Sequence, residues 1–204
     1  GSNINNVKKN SSKVEVAKRI IRAVLPEADV TALKAPWENC TEYLQSCDVV
    51  VGCLDTVAGR RDLEAECRRY LIPLIDIGMD VYESKTGFDV RGQVILSMPG
   101  DLCFQCYDFV NEEKLKKEAA KYGAAGGRPQ VVWSNGALAS TAIGIVVDLI
   151  TGWSKIRDRR VYLSYNGNSN TVKPHTHEEF PLQQKCSHFK LEEIGPVVWK
   201  KLGK

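Results

Sequence analysis

The sequence predicts an α/β fold, a layered and mostly parallel sheet with helices on both faces. Residues 47–55 and 72–80 are apolar runs without polar alternation, which is typical of strands buried on both faces in parallel sheets. A helical pattern over residues 57–71 separates these two runs. Strand, helix and strand in regular succession predict a layered sheet, and 204 residues suffice to bury its core.

A helix is predicted near the start of the chain. Residues 13–25 place their apolar side chains on one helical face. Ser12 and Glu15 have the spacing of a capping box, and Pro26 stops the helix. Two further elements are predicted before the first apolar run, a strand at 29–33 and a helix at 36–45.

The chain beyond residue 80 predicts less regular structure. Its expected elements are a strand over 92–100 that ends in a turn, a charged helix over 111–122, a glycine-containing loop at 124–130, a helix rich in small residues over 135–151 ended by Gly152, and a strand over 160–165 followed by an Asn/Gly turn. We expect a single domain over 1–204, with its core at 1–152 and a C-terminal strand, loop and tail at 153–204.

The composition indicates which partners and which cellular compartment to expect. The 28 basic and 25 acidic residues are scattered rather than clustered, which argues against a dedicated nucleic-acid binder. No apolar run is expected to reach the roughly 20 residues that span a bilayer, so we predict no membrane partner. Seven cysteines at irregular spacing indicate a reducing, cytoplasmic setting and a candidate metal site.

The first candidate for chemistry is Asp55, at the carboxyl end of a predicted buried strand. Ligands of open α/β sheets bind outside these strand ends. A carboxylate there could hold Mg²⁺, and Arg60 or Arg61, one turn into the next helix, could offset phosphate charge. The alternative is that Asp55 caps that helix, and the two roles are compatible.

The second candidate is the pair Cys103 and Cys106, which directly follows a predicted turn. This spacing supplies half of a zinc site, and two further ligands must come from elsewhere in the chain. The candidates for these ligands are Cys186, His188, His175 and His177. A redox Cys-x-x-Cys motif is the rival interpretation, and the plain alternative is two buried thiols with surface histidines.

The third candidate is Lys13, the first residue of the first predicted long helix. A lysine near a helix N-terminus opposes the helix dipole and gains no stability there. It is suited to meet a polyphosphate, although an ordinary surface lysine is the simpler interpretation.

Together the motifs resemble the ThiF/MoeB/HesA family, the bacterial relatives of ubiquitin-activating enzymes. The resemblance runs from about residue 2 to 189 through "SNIN", "CDVVVGCLDTVAGRRDLEAEC", "IPLIDIGM", "GQVILSMPGDLCFQC", "NGALASTAIGIVVDLITG" and "KCSHF". The family has an aspartate, an arginine five residues later and a cysteine seven residues after the arginine. This pattern matches Asp55, Arg60 and Cys67.

The resemblance implies a Rossmann-like fold that binds ATP and Mg²⁺. It also implies adenylation of the C-terminal carboxylate of a ubiquitin-like or sulfur-carrier protein, in a homodimer. Its site residues fall here on Asp55 for magnesium and ATP, Lys13 for phosphate, Asn3 and Asn5 beside the nucleotide, and Cys103 and Cys106 for structural zinc with Cys186 and His188.

The chain also departs from the family pattern. Asn6 stands where an arginine is usual, and Phe189 stands where a zinc ligand is expected, so His188 is the substitute. Before Gly52 the only glycine is Gly1, so the family's first strand and Gly-rich phosphate loop are not found, and we expect a partial adenylation domain that is inactive alone.

Two other function classes remain open, and the departures favour the first of them. One is a catalytically degenerate scaffold that pairs with an active partner. The other is a dinucleotide-dependent oxidoreductase. The sequence disfavours it, because no acidic residue follows a Gly-rich turn at the distance that would bind a ribose. Residues 107–185 contain no cysteine, so we expect an enzyme that stops at the acyl-adenylate and forms no thioester of its own.

Overall fold

The computed structural model describes residues 4–85, 87–120, 131–154, 160–175, 185–190, 192 and 194–195. The chain divides into two compact units, Gly1–Leu44 and Gln45–Lys204. The helices are α1 (Ile4–Lys8), α2 (Lys13–Val24), α3 (Thr41–Leu44), α4 (Val57–Arg69), α5 (Glu112–Ala120) and α6 (Val132–Thr151). The strands are β1 (Val50–Gly52), β2 (Leu74–Ser84), β3 (Gly87–Ser97), β4 (Val161–Asn166) and β5 (Thr171–Pro174).

The first unit is built around α2, and its predicted capping box is confirmed. The Ser12 amide donates to Glu15 Oε2 at 3.1 Å, and the Glu15 amide donates to Ser12 Oγ at 3.4 Å. The predicted strand at 29–33 is wrong, because no described strand pairs with that backbone. The predicted helix at 36–45 is split into a 3₁₀ turn (Trp37–Asn39) and α3, because Cys40 has the non-helical φ of −134°.

In the described part of the second unit, five strands form one sheet in the order β1-β2-β3-β4-β5. Only β1 and β2 run parallel in the described part, whereas β2–β3, β3–β4 and β4–β5 are antiparallel. The prediction of a mostly parallel sheet is therefore wrong. An apolar run reports that a strand is covered on both faces but does not fix the direction of its neighbours.

Helices cover both faces of this sheet, as predicted. Ile75 of β2 packs with Leu138 and Ala142 of α6 in the buried core. The next residue, Asp76, points to the opposite face because strand side chains alternate, and there it contacts Arg60 of α4. The two helices therefore enclose the sheet between them.

The helix α6 is longer and more apolar than predicted. Gly152 ends it in the left-handed conformation at φ 60°, which confirms the predicted stop. Its 20 residues are long and apolar enough to cross a membrane by length and composition alone, so the prediction that no segment reaches this length is wrong. Polar residues such as Asn135 and Asp148 break the apolar run in the sequence, but the mean hydropathy of the helix is still high enough for a membrane span.

Candidate functional site

Asp55 lies in the bend between β1 and α4 and is exposed to solvent. It does not cap α4, because the cap is Thr56, whose side chain accepts the Gly59 amide at 3.2 Å. The alternative interpretation of Asp55 as a helix cap is therefore wrong. Within the described ranges no hydrogen bond joins the Asp55 carboxylate to another residue. Asp55 is exposed three residues beyond Gly52, where β1 ends.

Arg60 is buried behind this bend and holds its backbone. The Arg60 guanidinium donates to the Asp76 carboxylate, to the Leu54 carbonyl and, at 3.3 Å, to the Ile77 carbonyl. Leu54 immediately precedes Asp55, so Arg60 ties the Asp55 bend to the central strand β2. Gly78 makes room for this contact, because a Cβ there would lie 2.7–2.8 Å from both terminal guanidinium nitrogens.

Asp76 is the buried acid of this arrangement, with only 1% of its surface exposed. Burial raises the pKa of Asp76, and the ion pair with Arg60 and a hydrogen bond from Gln93 oppose that rise. Sequence reasoning missed this residue. An aspartate in the middle of an apolar run was the available signal, because a buried carboxylate needs a charged or hydrogen-bonding partner.

Glu118 is a second residue that sequence reasoning missed. Its carboxylate accepts the Val57 amide at 2.8 Å and the Ala58 amide at 2.9 Å, so α5 caps the N-terminus of α4. Nothing in the sequence distinguishes Glu118 from the other acids of this charged helix. The Asp55 bend is thus fixed by Thr56, Arg60 and Glu118, while the Asp55 side chain stays on the surface.

The remaining nucleotide-site predictions fall in the first unit. Lys13 is the first residue of α2 and is exposed, and Asn5 is exposed on α1. Asn3 lies outside the described residues. Asn6, the position where an arginine was expected, is buried, and its Oδ1 accepts a hydrogen bond from Arg19 at 3.1 Å.

The predicted metal ligands come together in space. Cys103, Cys106, Cys186 and His188 each offer one ligand atom, and these four atoms lie within 4.8 Å of one another. His188 Nδ1 lies 3.4 Å from each of the first two sulfurs and 3.9 Å from Cys186 Sγ, and the Cys103 and Cys106 sulfurs are 3.6 Å apart.

These separations match the size of a tetrahedral zinc site. Zinc bonds of about 2.3 Å to sulfur and about 2.0–2.1 Å to nitrogen place neighbouring ligand atoms roughly 3.6–3.8 Å apart. Three thiolates and one imidazole are also a donor set that zinc prefers. The cluster therefore fits zinc, and the presence of four ligands rather than two cysteines disfavours the redox alternative.

The other two histidine candidates do not join this cluster in the described structure. His175 stacks on Tyr162, with ring centroids 4.0 Å apart, and its Nδ1 lies 2.5 Å from Ser164 Oγ. His177 lies outside the described residues. The late segment around Cys186 and His188 alone supplies the described second pair of ligands.

The remaining thiols are distributed over both units. Cys67 of α4 is fully buried, and burial, together with Cys47, Glu64 and Glu66, raises its pKa to about 12. The expectation that Cys53 lies inside a buried strand is wrong, because β1 ends at Gly52 and Cys53 is exposed.

Comparison with known proteins supplies the context for this arrangement. The model of the ThiF family matches residues 3–187, a range that includes Asp55, Cys103, Cys106 and Cys186. A search of curated proteins found no match. At the family level, ThiF proteins are adenylyltransferases that activate ubiquitin-like or sulfur-carrier proteins, and their fold is Rossmann-like. By the extent of this match, the chain belongs to the ThiF family.

Proposed function

We propose that this chain belongs to an enzyme that uses ATP to adenylate the C-terminal carboxylate of a ubiquitin-like or sulfur-carrier protein. The observation that carries the proposal is Asp55, a solvent-exposed carboxylate on a bend held by Arg60 and Glu118, within the matched family range. A fixed backbone with a free carboxylate is the arrangement that a ligand site at a strand end requires.

Asp55 is the proposed magnesium ligand. Carboxylate oxygen is a preferred ligand of Mg²⁺, which usually takes one or two protein carboxylates together with substrate phosphates. When bound, the ion neutralises negative charge on the phosphates of ATP. The role of Asp55 is to hold that charge at the carboxyl end of β1.

Lys13 and the asparagines of the first unit are proposed to contact the nucleotide. Lys13 begins α2, where its ammonium adds to the partial positive charge of the helix N-terminus, although the Glu15 amide and the Glu15 carboxylate are already paired with Ser12 in the capping box. Such a site favours a phosphate. We propose that Asn5 and Asn3 border the nucleotide beside it.

We propose that Arg60 positions the Asp55 bend and does not contact ATP. The sequence predicted that it offsets phosphate charge, but its guanidinium already contacts Asp76, Leu54 and Ile77. With 8% of the residue exposed, it has little surface left for a substrate. It therefore acts through the backbone of the Asp55 bend.

The proposed reaction stops at the adenylate. A carboxylate oxygen of the partner protein attacks the α-phosphorus of ATP, the bond to the β-phosphate oxygen breaks, and pyrophosphate leaves. The product is an acyl-adenylate, which a separate nucleophile then takes up. The absence of cysteine from residues 107–185 supports this, because a thioester-forming thiol is expected there.

Zinc is proposed as a structural ion at Cys103, Cys106, Cys186 and His188. A closed set of four protein ligands leaves no position for a substrate, which is typical of structural zinc. The ion would join the turn after β3 to the late segment around residue 186. Its contribution is to folding, because such a site does not exist in the unfolded chain.

A homodimer in the cytoplasm is the proposed state of the enzyme. Ile143, Val147 and Ile150 of α6 are exposed by 55%, 44% and 72%, whereas Leu138 and Ala142 of the same helix are buried against the sheet. Exposed apolar side chains in one helix are typical of protein contact surfaces. A second copy of this chain is the occupant that the family suggests.

A degenerate scaffold is the second candidate function. Two observations favour it, the engagement of Arg60 in buried contacts and the presence of Asn6 where the family has arginine. A scaffold needs neither a free phosphate-binding arginine nor an active Asp55.

Exchange of labelled pyrophosphate into ATP distinguishes the two candidates. The complete protein is assayed with Mg²⁺ and a panel of ubiquitin-like and sulfur-carrier proteins that have free C-terminal glycines. An adenylating enzyme gives exchange with at least one partner and loses it in Asp55→Ala. Asp62→Ala, which removes an exposed carboxylate of α4, is the matched control. A scaffold gives no exchange with any partner.

A further inference from the structure

The C-terminal half of α4 carries a buried ion pair beside the zinc ligands. Glu64 and Arg68 are exposed by only 2% and 5%, and the Arg68 Nε lies 3.5 Å from Glu64 Oε1. Ser97, the last residue of β3, joins the two. Its hydroxyl donates to Glu64 Oε1 at 2.5 Å and accepts from Arg68 Nε at 2.9 Å.

This pair holds the backbone on both sides of Cys103. Before the ligand, the Arg68 guanidinium donates to the Asp101 carbonyl at 3.1 Å and to the Leu102 carbonyl at 2.7 Å. After the ligand, the Phe104 amide donates to the two Glu64 oxygens at 2.9 Å and 3.2 Å. The peptide groups that flank Cys103 are therefore fixed by charged partners, which form stronger hydrogen bonds than neutral ones.

Arg68 also contacts Phe189, the residue next to the metal ligand His188. Its guanidinium carbon lies 5.0 Å from the centre of the Phe189 ring, within the range of a cation–π contact. Phe189 directly follows His188, so one guanidinium contacts residues adjacent to two of the four metal ligands. Phe189 thus has a contact of its own at the position where a zinc ligand was expected.

A buried ion pair is weak evidence for stability as such, because desolvation offsets most of its attraction. What distinguishes this pair is that its hydrogen bonds converge on the backbone of one metal ligand. Groups outside the ligand set that orient the ligands in this way tune metal affinity.

We propose that Glu64, Arg68, Ser97 and Phe189 form an outer shell that positions Cys103 and His188 for zinc. The inference rests on the zinc site proposed above. Ser97 acts through the charged pair, and the pair acts through the backbone that flanks Cys103, residues 101, 102 and 104. Phe189 links Arg68 to the neighbouring ligand His188. None of the four contacts the ion.

The test is zinc affinity, measured on the complete protein by competition with a chromophoric chelator. Ser97→Ala, Phe189→Leu, Glu64→Gln and Arg68→Met are compared with wild type. Arg61→Met and Asp62→Asn are the matched controls, because they disrupt an exposed ion pair on the same helix. The outer-shell variants should bind zinc about 10–100-fold more weakly, the usual range for such groups, and the controls within about twofold of wild type.

Substituting Co²⁺ for zinc provides a spectroscopic readout of ligand geometry. The visible absorption bands of the outer-shell variants should shift or weaken, whereas those of the controls should match wild type. If Glu64→Gln and Arg68→Met fail to fold, the milder Ser97→Ala and Phe189→Leu decide the matter.

Two negative results are distinguishable. Wild-type zinc affinity and an unchanged Co²⁺ spectrum in every folded outer-shell variant would overturn this inference and leave the zinc site standing. Failure of the wild-type protein to bind zinc would overturn the proposed site together with its outer shell. Neither result bears on adenylation at Asp55.

Discussion

Replacing Arg60 with methionine tests whether a buried ion pair supports the Asp55 bend. The substitution keeps most of the side-chain length but leaves Asp76, which is 1% exposed, without its cationic partner. Breaking a buried pair from one side typically costs about 3–5 kcal/mol, because the remaining charge keeps its desolvation cost and loses its counter-ion. The Leu54 and Ile77 carbonyls lose donors as well. We therefore expect Arg60→Met to lower the free energy of unfolding by about 3–5 kcal/mol.

Urea unfolding followed by circular dichroism measures this change. Arg61→Met is the control on the same helix, since Arg61 pairs with Asp62 on the surface, where such pairs contribute about 0–1 kcal/mol. The double variant Arg60→Met/Asp76→Leu should recover most of the loss, because an apolar replacement of both partners leaves no buried charge. An Arg60→Met protein within about 1 kcal/mol of wild type would refute the reasoning.

Three further predictions follow from the site. Glu118→Ala removes the acceptor for the first amides of α4 and should cost about 0.5–2 kcal/mol in the same unfolding experiment, and an unchanged midpoint would contradict that capping role. By metal analysis, wild type should bind about one zinc per chain and Cys103→Ser should bind none. A metal-free preparation of wild type with the same melting temperature would contradict the zinc site and favour the alternative of buried thiols. Cys67 should be alkylated by iodoacetamide far more slowly than the exposed Cys47, because its thiol is fully buried and its pKa is raised to about 12, and comparable rates by mass spectrometry would disprove that burial.

Local signals in the sequence predicted local structure well. The Ser12 and Glu15 capping box and the Gly152 stop each depend on residues within one helical turn, and the structure confirms both. The metal cluster was predictable for a different reason, since cysteine and histidine are few and a zinc site must gather four of them.

Non-local pairings were not predictable in the same way. The direction of β3 and β4 beside β2 depends on connections that apolar periodicity does not encode. The contacts of Arg60 with Asp76 and of Glu118 with α4 join residues 16 and about 60 positions apart. A charged residue on a predicted helix is usually a solvated one, and only the packed structure shows which of them are buried against a partner.

The most direct test of adenylation is pyrophosphate exchange in the complete protein and its Asp55→Ala variant. The assay follows labelled pyrophosphate into ATP in the presence of Mg²⁺ and the partner that stimulates exchange. Because the Asp55 side chain is exposed and bonds to no other described residue, its removal should leave the melting temperature unchanged. We expect Mg²⁺-dependent exchange in wild type and its loss in Asp55→Ala. Undiminished exchange in the Asp55→Ala variant would contradict the proposed site.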